Sequence, residues 1–550
     1  MPRITRRRFL LGSSVIAATA TAAGGALLSA RTRTPPAPTP PAHPTPLPST
    51  TPTPTPLPRG GTVTIATTGS LQADRFNVLR TGTPPTIEIL GRVHARLLQW
   101  ADPATAILGP DLAATFEQPD AQTLLLHLDP RARWHDAPPL NGRPITPEEA
   151  RASLERLTAA ARRADTLAGR RSAPLADIAR VELPQPGLLR VVLQRPSPLL
   201  TTAFAGEYAI LQHPDLLDSF DPQVPLDSTL LAGCGPWRLD AFDSTSARFV
   251  AQIGGHRQPL LDSLTVTSPF DVVERYRAGH LDEFPALDPR AAAAARALPE
   301  IQQLSTFLRE PVISTFATAA PPWSDTRLLD AISGALNRPE LAATLFAGRA
   351  QPSGPLPPVY AAALSPQALA PFPGFSRDPD ADARAARQRW EAANGPALGT
   401  IIVDFPAIFD PRYAAAAHIV RRLSAVLGPQ FKPAIERYPT IAERVEQGYY
   451  GNGRAAFWFG WATPLPSPDP REALLQLHGH ALDPAAHRQI LDGQPSALAE
   501  LQRHLLTGFP SGVIPWVQQT IQIFRRPETF GPTPSPFWDG QRDISRYRTP

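Results

Sequence analysis

Residues 134–157 read WHDAPPLNGRPITPEEARASLERL, and this stretch decides the kind of fold. The apolar run Leu124-Leu125-Leu126-His127-Leu128 lies just before it and has the length and composition of a strand. It leads into the tight polar turn His135-Asp136-Ala137-Pro138. Thr146-Pro147-Glu148-Glu149 then opens a helix: Thr146 can cap it, Pro147 suits its first turn, and Glu149 completes a capping box. Ala150, Ser153, Leu154 and Leu157 follow at helical spacing. A strand, a turn and a capped amphipathic helix in succession predict mixed α/β structure.

The same alternation continues outward. Gly60-Gly61-Thr62-Val63-Thr64-Ile65-Ala66 predicts an opening strand, and Leu264-Thr265-Val266-Thr267 a short one. Residues 272–278 predict a short helix ended by Gly279. Asp325 caps a predicted helix through Leu336, whose apolar side is Leu328, Ile332, Ala335 and Leu336. Asn337-Arg338-Pro339-Glu340 starts another by the same logic. Thr400-Ile401-Ile402-Val403 predicts a buried strand, residues 413–427 a helix, and Ala455-Ala456-Phe457-Trp458-Phe459 a further strand. Such alternation implies sheets covered by helices.

The N-terminus carries an address. Residues 1–34 hold six arginines and no acid, and Thr5-Arg6-Arg7-Arg8-Phe9-Leu10 fits the twin-arginine pattern, with Arg6 and Arg7 as the signal pair. An apolar stretch over residues 9–30 ends in small-residue sites suited to signal peptidase. The stretch is also near the roughly 20 apolar residues that span a bilayer core, so retention as an anchor stays open. Residues 35–59 are dominated by Pro and Thr, a composition that favours an extended spacer over a packed core. The expectation is an exported protein, periplasmic or at the cell surface, secreted or tethered.

Composition narrows the partners. The 550 residues carry 53 basic and 49 acidic side chains. Setting aside the six arginines of residues 1–34 leaves 47 against 49, about −2. A near-neutral mature part argues against nucleic acid as a partner. The only cysteine, Cys234, excludes an intrachain disulfide and a lipid anchor after the apolar stretch, and reads as a structural or inert thiol.

Lys432 is the sole lysine and Pro429 stands three before it, which excludes a phosphate loop with lysine and a Ser-x-x-Lys nucleophile. There is no Gly-x-Ser-x-Gly elbow and no His-Glu-x-x-His. His478-Gly479-His480 lacks an accompanying carboxylate or cysteine and reads as exposed loop histidines. No catalytic residue, metal site or cofactor is assigned.

Several segments resemble, in order, the bacterial extracellular solute-binding proteins, family 5, which serve oligopeptide, dipeptide and nickel importers. They are Asp111-Leu112-Ala113-Ala114-Thr115-Phe116-Glu117, Trp134-His135-Asp136 with residues 144–156, Gly233-Cys234-Gly235-Pro236-Trp237, Arg277-Ala278-Gly279-His280-Leu281-Asp282, and Pro321-Pro322-Trp323-Ser324-Asp325. Ala137 departs from the usual glycine. The resemblance implies a two-lobed periplasmic-binding-protein-like fold (type II, large variant) with an extra subdomain and a hinge of two crossing strands. Lobe I would be 60–92, 223–310 and 506–550, the extra subdomain 93–222, and lobe II 311–505. It implies a non-catalytic receptor, a monomer, that binds a small solute such as a peptide and hands it to an ABC permease after export by the twin-arginine translocase. The same fold reused as a surface or sensory binding protein is the alternative, and an exported enzyme a third.

The resemblance also supplies a candidate site. Strand residues Trp458 and Trp461 are candidate ligand platforms, and Thr68-Gly69-Ser70-Leu71 the opposite wall, with Ser70 and Leu71 as its site residues. In the family, Gly-Trp is followed by an aspartate that takes the ligand's ammonium; here that position is Pro464. A buried ammonium without a counter-charge is costly, so capture of a free peptide amine is not expected unless Asp469 substitutes. Arg309, near the hinge, is placed to meet an anion.

Overall fold

The computed structural model describes residues 59–537, apart from 70, 72–75, 80–83, 215–230, 287, 411–412, 451–452, 463 and 533. The export signal with Arg6 and Arg7, the Pro-rich segment up to residue 58, and Ser70 lie outside the described residues. Among the described residues, no helix is long and apolar enough to cross a membrane.

One eleven-stranded sheet runs through the molecule. Its main path is Phe431–Glu436, Ile401–Pro406, Ala456–Trp461, Gln302–Thr315, Val513–Arg525, Glu283–Ala286, Thr62–Ala66, Ser263–Thr267, Ser246–Ala251 and Trp237–Phe242, with Ala350–Pro352 added on Val513–Arg525. A second, four-stranded antiparallel sheet has the order Ala113–Asp120, Thr123–Leu128, Leu188–Leu193 and Ile178–Glu182.

Two lobes follow from separate cores. One apolar cluster joins Val63 and Ile65 to Val266 and includes the four-stranded sheet through Leu124, Leu126 and Val191. The other starts at Val312 and packs Trp323, Ile332, Trp390, Ile419 and Phe459. Leu506, Phe509, Ile514 and Trp516, expected in lobe I, pack in this second core. The two longest strands, Gln302–Thr315 and Val513–Arg525, pair antiparallel from Gln302↔Arg525 to Thr315↔Val513.

That pair is interrupted between the lobes. Phe307 pairs with Thr520 and Pro311 with Gln518, so residues 308–310 stand against the single residue Gln519. Pro311 has no amide hydrogen for a ladder, and a bulge is where such a residue is tolerated. Gln518 closes the gap by donating from Nε2 to the Leu308 carbonyl at 2.8 Å.

The quoted stretch folds as its residues predict. Thr146 Oγ1 accepts from the Glu149 amide at 3.3 Å, while Glu149 Oε2 accepts from the Thr146 amide at 3.0 Å. The helix runs Pro147–Arg163 and buries Ala150, Ser153, Leu154 and Leu157. The caps at Asp325 and Asn337 also form, over Thr326–Ala335 and Arg338–Phe346.

The turn at His135 docks on the Gly233-Cys234-Gly235 loop. The Gly233 amide donates to His135 Nδ1 at 3.2 Å, which leaves Nε2 to carry the hydrogen toward the Gly235 carbonyl at 3.1 Å. Burial holds this ring neutral, with its pKa down at about 4. Both glycines are required: a Cβ on Gly233 would stand 2.0 Å from the Val93 oxygen, and one on Gly235 2.5 Å from the Arg92 oxygen. Between them, burial pushes the Cys234 thiol up to about 12, far from a nucleophile's range.

Candidate functional site

A cavity of about 200 Å³ lies at the bulge. One side is the end of the Thr62–Ala66 strand with Thr67 and Thr68, and the Pro84–Val93 helix contributes Glu88 and Arg92. The first long strand supplies residues 306–310, the second Ile521 and Ile523, and Pro464 stands on the remaining side. The volume is below the roughly 300–1,000 Å³ usual for drug-sized ligands, so the space suits a small solute.

The charges around it are arranged in pairs with one exception. Arg92 Nη1 lies 3.6 Å from Glu88, and Glu283 is held by Arg525 at 2.6 Å. Arg309 is 11 % exposed and committed to protein partners. It donates from Nη1 to Glu207 at 2.9 Å, from Nε to the Leu465 carbonyl at 2.8 Å and from Nη2 to the Pro466 carbonyl at 3.4 Å. Arg171 donates to the Pro464 carbonyl at 2.6 Å and also bonds Gln476. Two guanidinium groups from distant parts of the chain therefore fix the loop at 464–466. Glu310 is the exception: among the described residues its carboxylate has no ion pair, and its own backbone amide is its only hydrogen-bond donor. Burial raises its pKa, with Arg309 opposing.

The sequence-derived candidates divide. Thr68 and Pro464 line the same cavity. Leu71 is 1 % exposed and packs in the first core. Trp458 and Phe459 point to opposite faces of their strand and both are buried, Trp458 with Ile313, Tyr360 and Tyr450, Phe459 in the second core. Trp461 is half-buried with its ring edge-to-face on Phe409 at 5.1 Å. Neither tryptophan lines the cavity, and neither indole N–H has a partner among the described residues. Asp469 caps the Pro470–His478 helix through the Arg471 amide and pairs with the Arg471 guanidinium at 2.6 Å, so it stays away from the cavity.

The His478-Gly479-His480 reading needs correction at its first member. His478 is buried, with Nδ1 2.8 Å from Ser511 Oγ and Nε2 3.2 Å from the Pro355 carbonyl. It ends a helix whose apolar face packs inward, which a two-histidine loop motif does not reveal. Burial lowers its pKa to about 4. His480 is exposed, as expected. Among the described residues no group of three His, Cys, Asp or Glu side chains could hold a metal.

Glu310 was missed in the sequence. The signal available was a charged pair, Arg309-Glu310, directly before a proline in an otherwise extended segment.

Comparison with known proteins places this architecture. Residues 108–477 match the family described as bacterial extracellular solute-binding proteins, family 5 Middle. A Brucella ovis protein provisionally named an ABC transporter peptide-binding protein is 25 % identical over 451 residues, 76 % of either chain. In structure, the periplasmic binding protein DppA of Helicobacter pylori, bound to the peptide STSA, superposes with a TM-score of 0.70 at 14 % identity, covering 90 % of this chain and 98 % of the other. AgaA of A. tumefaciens R10, bound to agropinic acid, gives 0.68 at 17 % identity, covering 89 % and 99 %. With that match over more than half its length, the chain belongs to the bacterial extracellular solute-binding proteins, family 5.

Proposed function

We propose that this chain is an exported receptor that takes one small solute between its lobes and delivers it to an ABC permease. The observation that carries the reading is where the cavity lies: at the bulge of the only strand pair that the described residues run from one core to the other. A bulge bends its strand and breaks the ladder locally, so rotation of one lobe against the other there disturbs few hydrogen bonds. A solute bound to both walls would shift the open–closed equilibrium toward closed.

The lobes are taken as 60–92, 223–310 and 506–550 for lobe I, 93–222 for the extra subdomain and 311–505 for lobe II, with Leu506, Phe509, Ile514, Trp516 and Val517 packing on the second core. Export through the twin-arginine translocase, directed by Arg6 and Arg7, and a monomeric state complete the reading. The fold accommodates both a peptide and agropinic acid in the two relatives named above, so the architecture alone leaves the solute class open.

The test is a thermal-unfolding screen of the purified chain with peptides, opines, sugars and metal salts. A true ligand at a hundred times its Kd stabilises by about 2.7 kcal/mol. A solute that raises the unfolding midpoint in a saturable way is expected; no stabilisation by any solute would count against the receptor reading.

A further inference from the structure

The receptor reading leaves one question that the cavity itself addresses: which charge the solute carries. In this chain Pro464 occupies the position from which a family aspartate would meet a ligand ammonium. The nearby acid Asp469 is used up as a helix cap and in its pair with Arg471. On that wall no carboxylate is on offer.

The hinge strand supplies one instead. Glu310 lies in the three-residue bulge, lines the cavity, and faces it from the wall next to Pro464. The other two acids of the cavity are already balanced, Glu88 beside Arg92 and Glu283 by Arg525. The cations that act on Glu310 are engaged elsewhere. Arg309 holds Glu207 and two loop carbonyls, and Arg171 holds the Pro464 carbonyl and Gln476. Glu207 adds repulsion. Glu310 is half-buried, and a carboxylate drawn partly out of water with no cation of its own costs free energy unless something neutralises it. A proline-bounded bulge that turns such a group into a ligand-sized space is a poor solution for stability and a good one for binding a cation.

We propose that Glu310 is the counter-charge for a cationic nitrogen, an ammonium or guanidinium group, of the bound solute. This rests on the receptor reading above and gives it a ligand class: solutes with a positive nitrogen, amine-bearing peptides included. The counter-charge then comes from the hinge strand and not from the loop after Trp461. A cation seated there would touch the bulge itself, so binding and the angle between lobes would be coupled through one residue.

The unliganded protein bears a related cost. Because burial raises the Glu310 pKa in the folded chain, its ionisation destabilises that chain, and stability is lost as pH rises from the unfolded value of 4.5 through the folded one. Replacing it by a neutral isostere removes that cost, so E310Q should unfold at the same temperature as the wild type or higher at pH 8.

The experiment is calorimetric titration of the full chain and of E310Q with three probes: tri-alanine, which has a free ammonium; N-acetyl-tri-alanine, which lacks it; and agmatine, which carries ammonium and guanidinium groups. Wild type should bind at least one cationic probe, and E310Q should bind it on the order of tenfold or more weakly. Acetylation of tri-alanine should weaken wild-type binding and change E310Q binding little. Equal affinity of wild type and E310Q for the cationic probe would overturn the assignment. Binding of the neutral probe alone would leave the receptor reading standing and remove this inference. Failure of every probe and of every solute in the thermal screen would remove both.

Discussion

The His135 turn and the 464–466 loop meet the same need, fixing a non-regular backbone, by opposite means. At the turn, partners are mostly close in sequence: Gly142 donates to the His135 carbonyl, Trp134 Nε1 to Glu149, and Thr146 and Glu149 cap each other. The block then docks on two glycines that admit no side chain. At the loop, the Pro464 and Leu465 carbonyls are held by Arg171 and Arg309, which are 293 and 156 residues away, and the Leu465 amide donates to the Arg309 carbonyl. The first region is scaffold, held largely by near neighbours in the chain and docked on the Gly233-Cys234-Gly235 loop. The second is held by side chains from distant parts of the chain, and Pro464 borders the cavity. Family-like motifs therefore mark the turn held by near neighbours, while the loop beside the cavity is assembled at long range.

The largest expected effect breaks the scaffold side. Gly233→Ala puts a Cβ 2.0 Å from the Val93 oxygen, and the backbone must move. A loss of about 4 kcal/mol, or failure to fold, is expected in urea unfolding. Any protein that does fold should keep its solute affinity. A mild loss would show that the docking loop has slack the geometry denies.

Arg309→Met strikes the other side. It removes the Arg309 cation from Glu207 and frees two carbonyls in a site where both partners of the pair are 11 % exposed. The expected cost is about 2–3 kcal/mol, and here affinity should fall along with stability. Affinity that survives intact would separate the loop from the binding function.

The Glu472 carboxyl tests the same border through pH. It sits between the lobes, bonded to Thr202 at 2.6 Å, and burial followed by repulsion from Asp469 raises its pKa to about 7. A folded pKa above the unfolded 4.5 gives stability that is complete below pH 4.5 and lost as pH rises through 7. Thermal unfolding should show wild type falling relative to Glu472→Gln between about pH 5 and 8, by roughly 1–2 kcal/mol. Parallel curves would contradict this. Smallest is Thr146→Ala, which deletes the cap on the Pro147–Arg163 helix and should cost about 1 kcal/mol, with no change in affinity by titration.

These contrasts explain what could be read from the chain. Short elements with local signals were legible: the capping box at Thr146, the caps at Asp325 and Asn337, and the strand at Thr62 all rest on neighbours within a few positions. The two longest strands were implied only by the family resemblance. Gln302–Thr315 carries Arg309, Glu310 and Pro311 in its middle, which destroys alternation. Val513–Arg525 buries Gln518 at its centre, satisfied by Leu308 and by the Val359 amide. Both faces of these strands are covered along part of their length, so a period of two survives only over short stretches such as 302–305 and 520–523. The site was partly legible for the same reason. Pro464 could be matched to a family position, whereas Glu310 acquires meaning only once the register shift at Phe307 and Pro311 is known.

Native mass spectrometry of the full chain, before and after incubation with a mixed peptide and amino-acid hydrolysate, tests the receptor account most directly. The account predicts one bound solute per chain, seen as a single mass increment lost on collisional activation, and a monomer throughout. A chain that keeps its bare mass after incubation, or gathers several loosely held adducts with no one-to-one species, would contradict it.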